Sequence, residues 1–254
     1  MQRKSVVAVI LLSSFMVFGQ THEEAGQAAQ PPVTSVTASN TFDQRTHKGE
    51  FSFVNNSTKT ITAYAVCAFD EARPGWRGCN TTDELYTFLD EAIARKIRPV
   101  LRPSAQAIGP GKRSKVSQMD YSDRPEPLEH RVVTVIFDDG TFEGESKFAS
   151  LIFGDRKKSL EGERFVISTL KNILDSAPGN EVVAAMEALQ KAQELKPDTR
   201  VWLAIDELKR PDFARHGSVK EFVPGDQRGY LKEVIARHED FVRQFVFHMP
   251  EGSR

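Results

Sequence analysis

The chain has 254 residues, of which 39% are apolar, so it is long enough and apolar enough to build a hydrophobic core. Its 34 basic and 35 acidic residues give a net charge of −1 at neutral pH. A nearly neutral chain has no global positive field to attract phosphate groups, so the composition argues against nucleic acid as a partner.

The first 19 residues have the pattern of a secretory signal peptide. Arg3 and Lys4 form a positive n-region, residues 6–18 form an apolar h-region, and Val17 and Gly19 occupy the −3 and −1 positions of a cleavage site. The alternative is an uncleaved membrane anchor, but the apolar run is shorter than the ~20 residues of a spanning helix. We therefore predict a secreted or periplasmic protein, with membrane contact only through an uncleaved signal segment. Cleavage changes 34 basic against 35 acidic residues to 32 against 35, a net charge of −3.

Residues 20–41 lack the composition of a folded segment. They are rich in Gln, Ala, Pro, Thr and Ser and contain almost no large apolar side chain. Burial of such side chains would not offset the conformational entropy lost on ordering. We therefore predict a disordered linker before the first folded unit.

Short runs of alternating residues, separated by turn residues, predict several β-strands after the linker. Phe51 and Phe53 alternate with polar positions, and residues 55–59 form a turn. The odd positions of residues 61–69 would line one face of a second strand, which pairs with the first around this turn.

Two further turns favour an antiparallel sandwich. Pro and Gly at positions 110 and 111 precede another short strand. Asp139 and Gly140 suit a two-residue hairpin loop, which would place Phe137 opposite Phe142. Several short strands with Gly, Pro and Asn turns predict an Ig-like β-sandwich.

Helical patterns interrupt and follow the strands. Thr81 and Glu84 have capping-box spacing, and apolar residues at helical intervals predict a helix over about residues 82–96 that ends before Pro99. After Glu145 the apolar period changes to 3.6 residues. The longest apolar stripe is the last one, formed by Leu231, Val234, Ile235, His238, Phe241, Val242 and Phe245.

These patterns predict an α+β protein in which an antiparallel Ig-like β-sandwich with one inserted helix precedes a helical region. The predicted organisation is a signal peptide at 1–19, a disordered linker at 20–41, the sandwich at 42–146 and an α-helical region at 147–254.

Four segments resemble a group of uncharacterised exported bacterial proteins. They are "FVNNSTKTITAYAV", "IGPGKRSKV", "VVTVIFDDGTFEGE" and "LIFGDRKKSLEGE", within roughly residues 49–175. The shared pattern is an Asn-x-Ser strand pair, a Pro-Gly turn, an Asp-Gly-Thr hairpin and an Arg-containing helix. The resemblance implies an Ig-like sandwich followed by helices, with no known activity.

The two cysteines enclose the most distinctive segment of the chain, "CAFDEARPGWRGC". In an oxidising compartment Cys67 and Cys79 would form a disulfide and close a short loop. The alternative is that Cys67 is only a small buried hydrophobe on its strand. The loop contains Arg73, Trp76 and Arg77, of residue types that dominate interface energetics. These three are the candidate partner-binding residues; for Trp76 itself, the favoured interpretation is that it packs against the end of the sandwich.

Common catalytic motifs are missing from the sequence. It contains no G-x-S-x-G, no H-E-x-x-H and no Walker phosphate loop. The best candidate for a hard cation is an acidic hairpin with four carboxylates: Asp138, Asp139, Glu143 and Glu145. Because Glu143 and Glu145 share a strand face while Asp139 occupies the turn itself, we predict a charged hairpin with no metal site. We also predict no cofactor and no catalytic residue.

Three of the six histidines bear on function. His238 lies on the apolar stripe of the last predicted helix, where a hydrogen-bonded core imidazole is expected. His47 and His130 flank predicted strands, and a site shared between them is an alternative.

The leading hypothesis is a non-catalytic exported module that binds a protein or another envelope or extracellular component. The alternative is an unrecognised hydrolase or metal-dependent enzyme acting on envelope material, for which His47, His130 or Asp138 would have to converge in a pocket. A third hypothesis is self-association of the C-terminal helices through the exposed part of the stripe over residues 231–245.

Overall fold

The computed structural model describes residues 32–86, 89, 107–122, 126–176, 179–209 and 227–251. In this part of the chain seven strands precede four long helices. The strands are β1 (Val36–Asp43), β2 (Lys48–Asn55), β3 (Ile61–Phe69), β4 (Arg77–Asp83), β5 (Ser117–Asp120), β6 (Glu129–Phe137) and β7 (Phe142–Gly144), and the helices are α1 (Ser146–Ser176), α2 (Glu181–Leu195), α3 (Thr199–Lys209) and α4 (Gln227–Phe247).

The seven strands form two antiparallel sheets. One has the order β1-β2-β5 and the other the order β4-β3-β6-β7. Phe51 and Phe53 of β2 share one buried core with Val135 and Phe137 of β6, which lies in the other sheet. The protein is therefore mixed α+β, with a two-sheet sandwich followed by helices.

The strands predicted on either side of residues 55–59 are both present, but they do not pair with each other. β2 belongs to the three-stranded sheet and β3 to the four-stranded sheet. The connection crosses between the sheets and is held by the buried Asn55, whose Nδ2 donates to the carbonyls of Lys59 (2.8 Å) and Ile108 (2.7 Å). The predicted pairing was wrong. A short polar connection can join two strands of one sheet or two strands of different sheets, and its residue types are the same in both cases.

The four-stranded sheet is covered on both faces. Tyr64 and Val66 of β3 pack into the core between the sheets. Ala63, Ala65 and Cys67 pack against helix α1 instead. The helix contributes Phe148, Ala149 and Ile152 to these contacts. Ala63, Ala65 and Cys67 share a buried face, as predicted, and that face is turned towards a helix. Ile61 does not share it: it packs into the core between the sheets, because an irregularity in register separates it from Ala63.

The hairpin between β6 and β7 has a longer loop than predicted. Ile136 lies opposite Phe142, and the amide of Phe137 donates to the carbonyl of Thr141 (2.9 Å). The loop therefore holds three residues, and Gly140 adopts a φ of +82°, which favours glycine. The predicted pair of Phe137 with Phe142 was wrong, because Asp-Gly also suits a three-residue loop that ends in a left-handed glycine.

Strand β1 occupies part of the segment predicted as a disordered linker. It pairs with β2 along its whole length, from Val36 opposite Asn55 to Asp43 opposite Lys48. Most of its side chains are exposed, so it is held by backbone hydrogen bonds and not by burial of apolar groups. The composition therefore gave no sign of it, and the linker prediction does not hold for residues 36–41. The predicted signal peptide lies outside the described residues.

Only the start of the helix predicted at about residues 82–96 falls within the described residues. Strand β4 continues through Asp83, so the helix does not begin at 82, and Leu85 and Leu89 are helical. Thr81 lies within β4 and does not cap the helix as predicted; the carboxylate of Asp83 accepts the amide of Leu85 (3.0 Å), the first helical residue.

Helices α1 to α4 form a second core. Leu170 of α1, Leu189 of α2, Ala204 of α3 and Leu231 of α4 are fully buried in one cluster. The apolar stripe over residues 231–245 is used inside the chain, because its members are buried apart from one partly buried valine. Self-association of the helices stays a prediction. Among the described residues, no helix is both long enough and apolar enough to cross a membrane.

Candidate interaction loop and buried charge clusters

A disulfide between Cys67 and Cys79 closes the loop between β3 and β4. The two residues are direct partners in the antiparallel ladder. The predicted bridge is therefore confirmed, and Cys67 is also fully buried against Phe148. The loop of residues 70–76 is covalently fixed at its base.

Asp70 organises this loop from the inside. Its buried carboxylate accepts the amide of Ala72 (3.1 Å) and Nε of Arg73 (2.6 Å), and its carbonyl accepts the amide of Arg73 (3.1 Å). A second turn follows at once, because the amide of Trp76 donates to the carbonyl of Arg73 (3.0 Å). Two consecutive turns leave the loop little conformational freedom to lose on binding.

Arg73 and Trp76 form a stacked pair on the loop. The guanidinium carbon of Arg73 lies 4.9 Å from the centroid of the Trp76 ring, within the range of a cation–π contact. The side chain of Arg73 is 58% exposed. Trp76 is partly exposed and lies beside Gly78, where an added Cβ would be 3.4 Å from the indole. Trp76 belongs to none of the buried clusters in the described part of the chain.

Arg77 makes different contacts. Its Nη1 donates to Oε1 of Glu145 (2.8 Å), and its guanidinium carbon lies 5.8 Å from the ring centroid of Phe148. Only 14% of its side chain is exposed. Of the three residues predicted to bind a partner, the fold brings Arg73 and Trp76 together on the exposed loop. Arg77 instead ties β4 to the start of α1.

Three of the four carboxylates of the acidic hairpin, those of Asp139, Glu143 and Glu145, have protein partners. Asp139 forms an ion pair with Lys59 (2.6 Å), and Glu143 accepts the amides of Thr34 and Ser35 (3.0 Å each). Burial alone would raise the pKa of Asp139, but hydrogen bonds, chiefly from Lys59, lower it to about 2. Across the described ranges, no group of three or more His, Cys, Asp or Glu is arranged to hold a metal ion.

Tyr121 contacts both histidines that were considered for a shared site. Its amide donates to the carbonyl of His47 (2.8 Å), and its hydroxyl is 3.5 Å from Nδ1 of His130. Burial lowers the pKa of His130, against a smaller opposing effect of a backbone hydrogen bond. Asp138 belongs to another contact, in which its carbonyl accepts Nδ1 of His248.

Arg156 is fully buried and connects four segments of the chain. Its Nε and Nη2 donate to the carboxylate of Asp83 (2.8 and 2.9 Å). Nη2 also donates to the hydroxyl of Thr62 (3.1 Å), and Nη1 donates to the carbonyl of His248 (3.3 Å). Sequence reasoning missed this role. The available signal was its place on the apolar stripe of α1, four residues after Ile152.

A second buried cluster joins α1, α3 and α4. Nδ1 of His238 is 2.6 Å from Oε2 of Glu163, and its Nε2 is 3.3 Å from Oε2 of Glu207. Burial alone would lower the pKa of His238, but the hydrogen bond with Glu163 and the charges of both carboxylates raise it to about 9. Arg200 adds an ion pair to Glu163 (3.3 Å) and lies 4.4 Å from the ring centroid of Phe241. His238 is therefore a hydrogen-bonded core imidazole, as predicted.

The Arg156 and His238 clusters are buried and connect elements of the fold, whereas the closed loop carries an exposed Arg73 stacked on a partly exposed Trp76. Comparisons of the chain with protein families, with curated proteins and with solved structures found no match.

Proposed function

We propose that the protein is an exported, non-catalytic module that binds a protein or another component of the cell envelope or extracellular space through the loop closed by Cys67 and Cys79. The observation that carries the proposal is the stacked pair of an exposed Arg73 and a partly exposed Trp76, held from inside by Asp70. Trp and Arg are enriched among the residues that dominate binding energy. Because the turns and the disulfide order the loop before a partner arrives, binding costs less entropy.

We propose further that the sandwich is Ig-like. Ig-like sandwiches place strands A, B and E in one sheet and C, F and G in the other, and some members add C′ beside C. The order β1-β2-β5 corresponds to A-B-E, and β4-β3-β6-β7 corresponds to C′-C-F-G. In this assignment the candidate loop is the C–C′ connection. Loops at the ends of such scaffolds commonly carry binding residues.

Export is supported by the disulfide, since such bonds persist in oxidising compartments. It agrees with the signal peptide predicted at residues 1–19 and with a secreted or periplasmic location. N-terminal sequencing of the mature protein tests this point. A mature chain that begins at Gln20 is expected, and a chain that retains Arg3 and Lys4 contradicts cleavage.

Photo-crosslinking in the native host tests the contact surface. A photoreactive amino acid is placed at position 72, which is exposed on the loop, and at position 183, which is exposed on α2. We expect one stoichiometric partner from position 72 and none from position 183. Trp76→Ala should abolish the crosslink, whereas Phe165→Ala, which removes an exposed aromatic ring from α1, should preserve it.

Each other result has a defined meaning. A partner that is retained by the Trp76→Ala variant contradicts the loop as the contact surface. A partner captured only from position 183 places the interface on the helical region. If neither position 72 nor position 183 yields a crosslinked partner, the proposed function is contradicted.

A further inference from the structure

A pocket lies between helices α2 and α3 and shares no residue with the disulfide-closed loop. Its volume is about 270 Å³. Sites for drug-sized ligands are commonly about 300–1,000 Å³. This pocket therefore suits one ring-sized group, or the terminal unit of a longer chain.

An indole forms the apolar wall of the pocket. Trp202 is 46% exposed, whereas Ile205, three residues later on the same helix, is buried in the helical core. Residues three apart lie on one side of a helix, so Trp202 and Ile205 line the same side of the pocket. The burial of Ile205 in the helical core fixes the position of this part of α3. The exposed indole offers a flat, rigid apolar surface to a ligand.

The rest of the lining is polar and carries both signs of charge. Gln190 and Glu194 lie one turn apart on α2, and Asp206 and Lys209 lie on α3. Together they place amide, carboxylate and ammonium groups around the indole, so the rim contains both donors and acceptors. Lys209 offsets one of the two carboxylates, Glu194 and Asp206, so the rim keeps a net charge of −1.

We propose that this pocket binds a pyranose ring, as the terminal sugar of a glycan. A pyranose has a face of C–H groups that packs on an indole and a rim of hydroxyl groups that both donate and accept hydrogen bonds. An organic cation could also stack on Trp202 and would be attracted by the net negative charge of the rim, but it carries no hydroxyl groups to pair with the amides of Gln190 and Gln193. A sugar ring uses both the indole and these amides, so it matches more of the lining. This site is independent of the proposed partner contact at Trp76.

The chain has two tryptophans, which permits a selective measurement. In a Trp76→Phe variant Trp202 is the only indole, so tryptophan fluorescence and the indole Nε1–H NMR signal report on the pocket alone. The probes are the methyl pyranosides of glucose, galactose, mannose and N-acetylglucosamine, with tetramethylammonium chloride as the cationic probe. We expect a saturable shift with at least one pyranoside, with a Kd of roughly millimolar order, and a weaker response to the cation.

Two variants in the same background test the rim. Gln190→Ala should weaken pyranoside binding by about fivefold or more, as expected for the loss of one hydrogen bond. The matched control is Gln118→Ala, which removes an exposed glutamine from β5 and should leave binding unchanged. Equal affinities in the two variants would overturn the assignment of Gln190 to a sugar site.

Shifts with tetramethylammonium and not with pyranosides would overturn the proposal in favour of a cation site. The absence of a shift with every pyranoside up to about 100 mM, well above a millimolar Kd, would also overturn it. Crosslinking from position 72 is scored separately, so failure of the sugar site and failure of the loop contact are distinguishable.

Discussion

Arg156 and Asp83 form a bidentate ion pair inside the protein, with Nε to Oδ2 at 2.8 Å and Nη2 to Oδ1 at 2.9 Å. The Arg156 side chain is fully buried and that of Asp83 is 19% exposed. Asp83 ends β4 and Arg156 lies in the first half of α1, so the pair fixes the helix on the four-stranded sheet. The same guanidinium reaches the carbonyl of His248, which brings the C-terminal end of the described chain to this point.

Asp83→Asn should destabilise the protein strongly. It leaves the Arg156 guanidinium buried without its counter-charge, and removal of one partner from a buried pair costs about 3–5 kcal/mol. Arg156→Met should cost less, because no charge then remains in the interior and Asp83 keeps some contact with water. Chemical denaturation measures both free energies of unfolding.

The control for this prediction is Lys158→Ala, which breaks an exposed ion pair with Asp155 on the same helix. Exposed pairs of this kind contribute about 0–1 kcal/mol. A loss for Asp83→Asn no larger than that of the control would contradict a stabilising role for the buried pair.

His238 should make the helical region less stable at alkaline pH. Its pKa of about 9 in the folded protein lies above the ordinary value of about 6.5, so the folded state binds the proton more tightly than the unfolded state. The stabilisation is therefore complete below about pH 6.5, declines as the pH rises, and is lost above about pH 9. The difference in pKa corresponds to a contribution of order 3 kcal/mol.

Urea denaturation at about pH 6, 8 and 10 measures this dependence for the wild type and for His238→Gln. The stability difference between them should be largest at the lowest pH and should shrink by pH 10, because the proton that links Glu163 and Glu207 is then released. NMR titration of the imidazole gives its pKa directly. A folded-state pKa at or below about 6.5 would contradict the proposed double ion pair.

Reduction of the disulfide should lower the free energy of unfolding by about 3 kcal/mol, the value expected for a short loop such as that between Cys67 and Cys79. Denaturation with and without reductant measures this change. Hydrogen exchange of the Trp76 amide, which donates to Arg73, should accelerate at the same time as the loop loosens. The Cys67→Ala, Cys79→Ala double variant should show no response to reductant. An unchanged midpoint for the reduced wild type would contradict this prediction.

Local residue chemistry was sufficient to predict some of these features. The alternation of Ala63, Ala65 and Cys67 in β3, the disulfide between the two cysteines and the apolar stripe of α4 were all visible within short windows of sequence. The first and the last depend on the period of a strand or helix, which the chain carries in its own spacing. The disulfide followed from the cysteine count, but the register of the two cysteines across β3 and β4 did not. The stacking of Arg73 on Trp76 was not predicted, because it depends on two specific turns between them.

Long-range pairing could not be read from the same patterns. Asn55 bonds to Ile108, 53 residues away, and this contact belongs to a crossing between sheets that short windows do not reveal. Arg156 contacts Asp83, which lies 73 residues away in the sequence, and His238 contacts Glu163, which lies 75 residues away. A charged residue within an apolar stripe indicates that a partner exists, but only the packing of the elements identifies it.

Gly140→Ala should be more damaging than Gly179→Ala, although the two glycines have similar φ values of +82° and +87°. Both substitutions introduce strain of about 1–2 kcal/mol, because an alanine Cβ is unfavourable in the left-handed region. At Gly140 the added Cβ would also lie 2.6 Å from the carbonyl oxygen of Met249, whereas at Gly179 it would meet no atom within 4 Å. Met249 is buried in the core with Phe245, so it cannot yield without loss of packing.

We expect the Gly140→Ala variant to lose roughly 1–3 kcal/mol more than the Gly179→Ala variant, as for other overpacked sites. Thermal unfolding of the two variants measures the difference. Hydrogen exchange of the His248 amide, which donates to the carbonyl of Phe245, shows where the structure is disturbed. If Met249 is displaced from the β6–β7 hairpin, this hydrogen bond should be the first to become exposed to solvent. Equal losses in the two variants, with unchanged exchange at His248, would show that the hairpin does not anchor the end of α4. The Arg156 contact to the His248 carbonyl would then have to hold this segment without the hairpin.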